Sequence, residues 1–232
     1  MGREWGDTGT VRADSLATES QIRTALLNLA TDESAPRKIQ NAASLVVSKI
    51  ASVDYPDDWP DILQKLLQNI SQAGPNSLHG SLKVLSELVE DGFDQDQFFA
   101  IAPDLANVLQ HVAVSESALQ SRALAVNVFR GCFDILEMVL EDHKTAVKQF
   151  AEKVIGDWMP FLLHTTQSRL PGRPAEVSSD SSYAGLVKLK IQVMKVSRRA
   201  LLLARSRALA TLNPCCRRDQ DTLESVQFML FG

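Results

Sequence analysis

The sequence is poor in cysteine. Only Cys132, Cys215 and Cys216 occur in 232 residues, too few for the disulfide framework of a small secreted domain. Long hydrophobic runs are also missing, since no segment approaches the ~18 uninterrupted apolar residues that a membrane-spanning helix needs. Residues 1–20 lack the apolar core of a signal peptide. These absences predict a soluble intracellular protein in a reducing compartment, without membrane insertion.

The usual sequence motifs of catalysis and cofactor binding are absent too. There is no Gly-rich phosphate loop, no paired-cysteine motif and no Gly-x-Ser-x-Gly nucleophile elbow. No two of the four histidines have the i, i+4 spacing that places two metal ligands on one helix face; they are His79, His111, His143 and His164. Cys132 lies in an apolar stripe, which predicts a core position. We therefore expect no catalytic residue, no metal, no cofactor and no enzymatic activity.

The charge balance is acidic. The formal net charge of −4 and the pI near 5.6 argue against direct nucleic-acid binding, which requires a basic surface. Positions 53–98 hold nine Asp or Glu, against only Lys65 and Lys83. Two interpretations stay open for this segment: a solvated turn with aspartates at a helix start, or an acidic surface that attracts a basic partner.

The apolar residues that are present recur at helical spacing. Ile39, Ala43, Val46 or Val47, and Ile50 follow one another at intervals of three or four residues, and they predict a helix from about residue 36 to 52. Similar segments follow along the chain. No segment alternates between apolar and polar residues, and no hairpin turn separates β-branched runs. The predicted fold class is all-α.

Taken in order, the predicted helices form pairs. The first helices of successive pairs begin near residues 20, 58, 95 and 144, a period of roughly 40 residues that is typical of HEAT repeats. Stacked pairs bury each other's apolar faces, so about four helix pairs predict an α-α superhelix, or solenoid. The expected division of the chain is a disordered segment 1–19, HEAT repeats 20–166, a flexible loop 167–183, a last helix 184–212 and an atypical tail 213–232.

The stretch VDYPDDWPDIL (residues 53–63) separates two of these helices. Pro56 disfavours helical geometry at Tyr55 and so ends the preceding helix. Asp57 or Asp58 can cap the next helix, with Pro60 in its first turn. Tyr55 and Trp59 offer large apolar faces to pack between consecutive pairs. The stretch therefore predicts a rigid corner.

The segment KIQNAASLVVSKIASVDYPDDWPDILQKLLQNI (residues 38–70) resembles the N-terminal part of importin-β, or karyopherin, nuclear transport receptors. The matching positions are Ile39, Asn41, Ala42, Ala43, Ile50, Ala51, Asp54, Tyr55, Pro56, Trp59 and Pro60. SLHGSLKVLSELVED and DWMPFLL are most similar to the importin-nine-like branch, which carries core histones and the TATA-binding protein. The resemblance extends to about Leu163. Receptors of this family are much longer, so the chain resembles a truncated N-terminal portion.

This resemblance implies a function and a set of contacts. The family binds the small GTPase Ran in its GTP form, basic cargo proteins such as histones and, in the full-length receptor, nucleoporins, and it shuttles between cytoplasm and nucleus through the pore. Its second helices line the concave face. The partner contacts implied here are Lys38, Asn41, Lys49, Glu87, Glu90 and Asp91. The alternative is a HEAT scaffold or regulatory protein with no role in transport.

After Ser197 the sequence ceases to resemble the family. Positions 195–218 hold seven Lys or Arg and no acidic residue. Two explanations stay open: a native basic helix, or an artefact of how the coding sequence was assembled. Cys215 and Cys216 are therefore given no role in a mechanism.

Overall fold

The protein is α-helical wherever its structure is described. The computed structural model describes residues 8–72, 74–91, 95–116, 118–170 and 181–210, and no strand occurs within these ranges. The helices there are α1 (Thr8–Thr31), α2 (Arg37–Asp54), α3 (Ile62–Gln72), α4 (Pro75–Asp91), α5 (Gln95–Ser115), α6 (Leu119–Met138), α7 (Lys144–Gln167) and α8 (Ser181–Ala210). The predicted all-α, HEAT-type class is confirmed. None of these helices is both long and apolar enough to cross a membrane.

The helices pair as the sequence predicts. Helix α1 packs on α2, α3 on α4, α5 on α6 and α7 on α8. The chain divides into two compact units, residues 1–91 and residues 92–232. Within the first unit the second helices α2 and α4 also contact each other, as do α6 and α8 within the second. Each unit therefore combines pairing with stacking of neighbouring pairs, which is how repeat proteins bury their helix faces.

Small residues on α2 build the core of the N-terminal unit. Ala43, Val47 and Ala51 are buried one turn apart, and Ser44 and Ser48 beside them are buried as well. The Ser44 hydroxyl donates to the carbonyl of Gln40 at 2.8 Å, so its burial leaves no unpaired donor. A buried face of alanine, serine and valine lets α2 lie close to α1 and α4.

Aromatic side chains fill the core of the C-terminal unit. The rings of Phe129 and Trp158 stack with centroids 3.7 Å apart and an interplanar angle of 5°. Phe133 meets Phe129 edge-on at 5.1 Å, and Phe161 meets Trp158 edge-on at 6.0 Å. These contacts join α6 to α7 through large apolar areas.

Some helix ends differ from the expectation. Helix α1 begins at Thr8, inside the segment 1–19 expected to be disordered. No glycine or proline stands between Thr10 and Ala35, so nothing in the backbone interrupts the helix there. Helix α3 begins at Ile62, so Pro60 precedes its first turn and neither Asp57 nor Asp58 is its cap. Most of the predicted loop, residues 171–180, and the predicted tail 213–232 lie outside the described residues.

Candidate functional site

Three of the predicted contact residues share the exposed side of α2. Lys38, Asn41 and Lys49 all face solvent, opposite the buried stripe of Ala43 and Val47. Their separations of three and eight residues bring them to one side of a helix with 3.6 residues per turn. The structure thus places these three polar side chains where a partner can reach them.

Apolar side chains lie on the same side of α2. Leu45, Val46 and Val53 are exposed, so together with Lys38, Asn41 and Lys49 they form what we call the α2 face. Contiguous exposed apolar residues mark interaction surfaces more often than isolated ones do. Sequence reasoning missed Leu45, and it assigned Ile39 and Val46 to the buried side although both are exposed. The sequence did contain a signal for this, because the consecutive apolar residues 45–47 of a helix cannot all point to one face.

The predicted acidic residues lie on α4, which packs against α2. Glu87 is half-buried and forms an ion pair with Lys83 one turn earlier, so its charge is largely balanced. Glu90 is exposed, and Asp91 is the last residue of α4, with a side chain outside the described part of the structure. The surface of α2 and α4 together is therefore mixed in charge.

His79 stands near the start of α4 beside two cations. Its Nδ1 atom is buried and has no hydrogen-bond partner among the residues that the structure describes. Burial, together with the positive charges of Arg37 and Lys83, lowers the pKa of the imidazole to about 4, and burial is the largest of these causes. His79 is therefore neutral at physiological pH, as a half-buried part of the α2–α4 contact.

This environment predicts that the stability of the N-terminal unit depends on pH. The folded-state pKa of about 4 lies below the ordinary histidine value of 6.5, so the unfolded chain binds more protons between these two pH values. We expect the free energy of unfolding to fall as pH drops from about 6.5 to 4, and His79→Gln to remove part of that fall. Urea unfolding at several pH values measures the free energy of unfolding of the parent protein and of the His79→Gln variant. Identical pH profiles would contradict the assignment.

Arg23 ties α1 to the corner after α2. Its Nε donates to Asp54 Oδ2 at 2.7 Å, and Nη2 lies 2.6 Å from the same oxygen. Nη1 donates to the carbonyl of Asp58 at 3.1 Å. The side chains of Arg23 and Asp54 are only 13% and 18% exposed. Asp54, a residue of the importin-like motif, is thus one half of a charge-assisted clamp.

The end of α2 and the burial of Trp59 agree with the sequence reasoning, whereas the predicted roles of Asp57, Asp58 and Pro60 at the start of α3 do not. Tyr55 is extended, with φ −83° and ψ 136°, so α2 ends before Pro56 as predicted, and the Tyr55–Pro56 peptide bond is cis. Trp59 is buried, whereas Tyr55 is half-buried and burial raises the pKa of its phenol. The backbone N–H groups of Asp58 and Trp59 both donate to the carbonyl of Asp54. Asp54 therefore organises the turn through its main chain as well.

The part of the chain that the structure describes contains no cluster of three His, Cys, Asp or Glu side chains that could hold a metal ion. Cys132 is buried on α6, with Sγ 3.5 Å from the carbonyl of Val128. Burial raises the pKa of its thiol to about 12, so the reactive thiolate is suppressed at neutral pH. The prediction that Cys132 is a core residue is confirmed.

Comparison with known proteins identifies the family. The Exportin 1-like protein family matches residues 36–162, more than half of the chain. Importin subunit beta-5 of Schizosaccharomyces pombe is 35% identical over 127 residues, which cover 53% of this chain and 13% of that protein. Importin subunit beta-5 of Saccharomyces cerevisiae is 26% identical over 144 residues, covering 61% and 14%. Importin-9 of Drosophila melanogaster is 20% identical over 129 residues, covering 55% and 12%.

The chain therefore belongs to the Exportin 1-like family, and the resemblance to importin-β receptors is confirmed by the importins among its relatives. The matched region includes α2, the corner at Asp54 and α4. The aligned residues span 13% and 14% of the length of the two beta-5 importins.

Proposed function

We propose that this chain provides N-terminal HEAT repeats of a nuclear import receptor, which bind Ran in its GTP form and basic cargo proteins such as histones. The receptor passes through the nuclear pore by contacts with nucleoporins and shuttles between cytoplasm and nucleus. The chain acts by binding and has no enzymatic activity of its own. The observation that carries the proposal is the family match over residues 36–162, within which the α2 face is exposed.

The α2 face has the composition of a protein-binding surface. Lys38 and Lys49 can meet carboxylates of a partner, while Leu45 and Val46 supply exposed apolar area. On the adjacent helix, Glu90 is exposed and can meet basic side chains. A surface of mixed charge suits a receptor that exchanges one partner for another. We propose that Ran contacts α2 and that basic cargo contacts the end of α4, where Asp91 lies.

The test compares charge-reversed variants of the chain on immobilised Ran. We expect Lys38→Glu with Lys49→Glu to weaken binding to the GTP form by about tenfold or more, because two cations at an interface become repulsive. Lys148→Glu is the matched control, since Lys148 is also an exposed helical lysine but lies on α7. Surface plasmon resonance measures the affinities.

Two results would contradict this assignment. If both variants bind the GTP form as tightly as the parent chain, Lys38 and Lys49 are not Ran contacts. If the parent chain binds the GTP and GDP forms equally, a scaffold or regulatory role outside transport is favoured over the transport cycle.

A further inference from the structure

Helix α8 carries an apolar groove on the side away from its buried face. Val187, Ile191 and Met194 form the floor together with Leu170, which follows α7, and the groove encloses about 520 Å³. Ile191 and Met194 are 47% and 49% exposed. The floor positions are four and three residues apart, so they lie on one side of α8. The opposite side is buried and carries Leu189, Val193, Val196 and Ala200.

Two cations of α8 are bound by groups of α6 and of the end of α7. On the inner side, Arg199 pairs with Asp134 and Glu137 of α6, at 3.0 and 2.9 Å. Lys190, which also lines the groove, donates to the carbonyls of Thr166 and Ser168 at the end of α7. Both therefore already have partners within the C-terminal unit.

Lys195 and Arg198 flank the groove on its outer side. Both are exposed, and within the described ranges no carboxylate lies at ion-pair distance from either. Helix α8 contains no Asp or Glu between residues 181 and 210, although the whole chain has a net charge of −4. Among the residues that the structure describes, the groove thus combines an apolar floor with two flanking cations that have no acidic partner.

We propose that this groove binds an acidic amphipathic helix of a partner protein. Leucine-like side chains at i, i+3, i+4 and i+7 of that helix would cover Ile191 and Met194, and carboxylates on its flank would meet Lys195 and Arg198. The floor and its flanking cations extend from Val187 to Arg198, about three helical turns, which matches a short helix. This surface belongs to the C-terminal unit and is separate from the proposed Ran and cargo contacts.

Charge complementarity favours an acidic helix over a single-stranded nucleic acid. Nucleic-acid strands are held by phosphate contacts together with aromatic platforms on which bases stack. The groove has an aliphatic floor and no aromatic side chain among its lining residues. An apolar helix face therefore fits the floor better than a base does.

The first experiment uses a fluorescein-labelled peptide of about 18 residues, with leucines on one helix face and glutamates elsewhere. Fluorescence anisotropy with the full chain measures its affinity. Lys195→Glu with Arg198→Glu should weaken binding by about tenfold or more. Lys188→Glu should leave it unchanged, because Lys188 is exposed on α8 but does not line the groove.

A charge swap makes the test specific. The doubly reversed variant should bind a peptide with lysines in place of the glutamates more tightly than the parent chain does. Met194→Asp should weaken binding of both peptides, since it places a charge on the apolar floor. Circular dichroism verifies that these exposed substitutions keep the fold.

Four outcomes would overturn the proposal. The first is a loss of binding in the Lys188→Glu control as large as the loss in the Lys195→Glu, Arg198→Glu double variant, because the electrostatic attraction would then not be specific to the groove. The second is stronger binding of a single-stranded oligonucleotide than of the acidic peptide. The third is a dimer that Met194→Asp dissociates, because a second copy would then occupy the groove. The fourth is failure of the native receptor from cell extract to bind the peptide, because another segment would then cover it.

Discussion

Replacing Gly80 with alanine or valine is expected to destabilise the N-terminal unit strongly. A Cβ atom built on Gly80 would lie 2.0 Å from the carbonyl oxygen of Ala30 and 3.0 Å from its carbonyl carbon. Both atoms belong to the backbone of α1, and Ala30 is completely buried. Helix α4 must therefore move away from α1 to admit even one methyl group.

The size of this effect follows from two opposing contributions. Overpacking a well-packed contact costs about 1–3 kcal/mol and occasionally more, and backbone atoms cannot rotate away as a side chain can. Alanine is favoured over glycine inside a helix by only about 1 kcal/mol, which offsets part of the cost. Valine adds further atoms at the same place, so we expect Gly80→Val to be the more damaging change.

Gly156 provides the matched control for Gly80. It is also inside a helix, but a Cβ atom there would meet nothing within 4 Å. We expect Gly156→Ala to stabilise α7 by up to about 1 kcal/mol. Hydrogen exchange followed by mass spectrometry separates the two units and should show lost protection in α1 and α4 for the Gly80 variants alone. Unchanged protection in Gly80→Val would contradict the close approach of these helices.

Removing the Arg23–Asp54 ion pair is expected to have the second largest effect on the free energy of unfolding. Hydrogen bonds to charged groups contribute roughly 1.5–3 kcal/mol when little exposed, and Arg23 makes such bonds to both the side chain of Asp54 and the backbone of the corner. In a double-mutant cycle of Arg23→Ala and Asp54→Ala, we expect a coupling free energy of about 1–3 kcal/mol. Denaturant unfolding of the parent protein, the two single variants and the double variant measures this coupling free energy.

The exposed pair of Lys65 and Asp61 is the control for the clamp. These side chains are 47% and 50% exposed and lie one turn apart at the start of α3. Pairs of this kind contribute only about 0.3–0.5 kcal/mol. If the Arg23–Asp54 coupling is no larger than that of Lys65–Asp61, the clamp does not stabilise the corner.

The sequence predicted most of the helices because their apolar spacing is a local property. Ile62, Leu66 and Ile70 are four residues apart and are all buried on α3, as an amphipathic helix requires. The end of α2 before Pro56 also followed from local sterics. Proline and spacing act within a few residues, so no tertiary information was needed.

Contacts between distant residues could not be predicted in the same way. Arg23 and Asp54 are 31 positions apart, and nothing in either local sequence links them. The approach of Gly80 to Ala30 depends on how closely α4 packs on α1. The start of α1 at Thr8 was missed because residues 8–19 have no regular apolar period, although no proline interrupts them.

The candidate site was predictable in part. The exposure of Lys38, Asn41 and Lys49 follows from the helical period once Ala43 and Val47 are assigned to the core. The pairing of Glu87 with Lys83 follows the i, i+4 rule, and it reduces the acidity that the residue count suggested. The positions of α1 and α4 determine which apolar residues of α2 stay exposed. These positions are known only from the structure.

The central claim, that the chain is part of a Ran-regulated import receptor, is tested most directly with native cell extract. The extract is passed over immobilised Ran in its GTP-locked and GDP forms, and an antibody against residues 35–163 detects what is retained and its apparent mass. We expect retention only on the GTP form, at a mass far above the 25.5 kDa of this chain. Equal retention on both forms, or none on either, would contradict the claim.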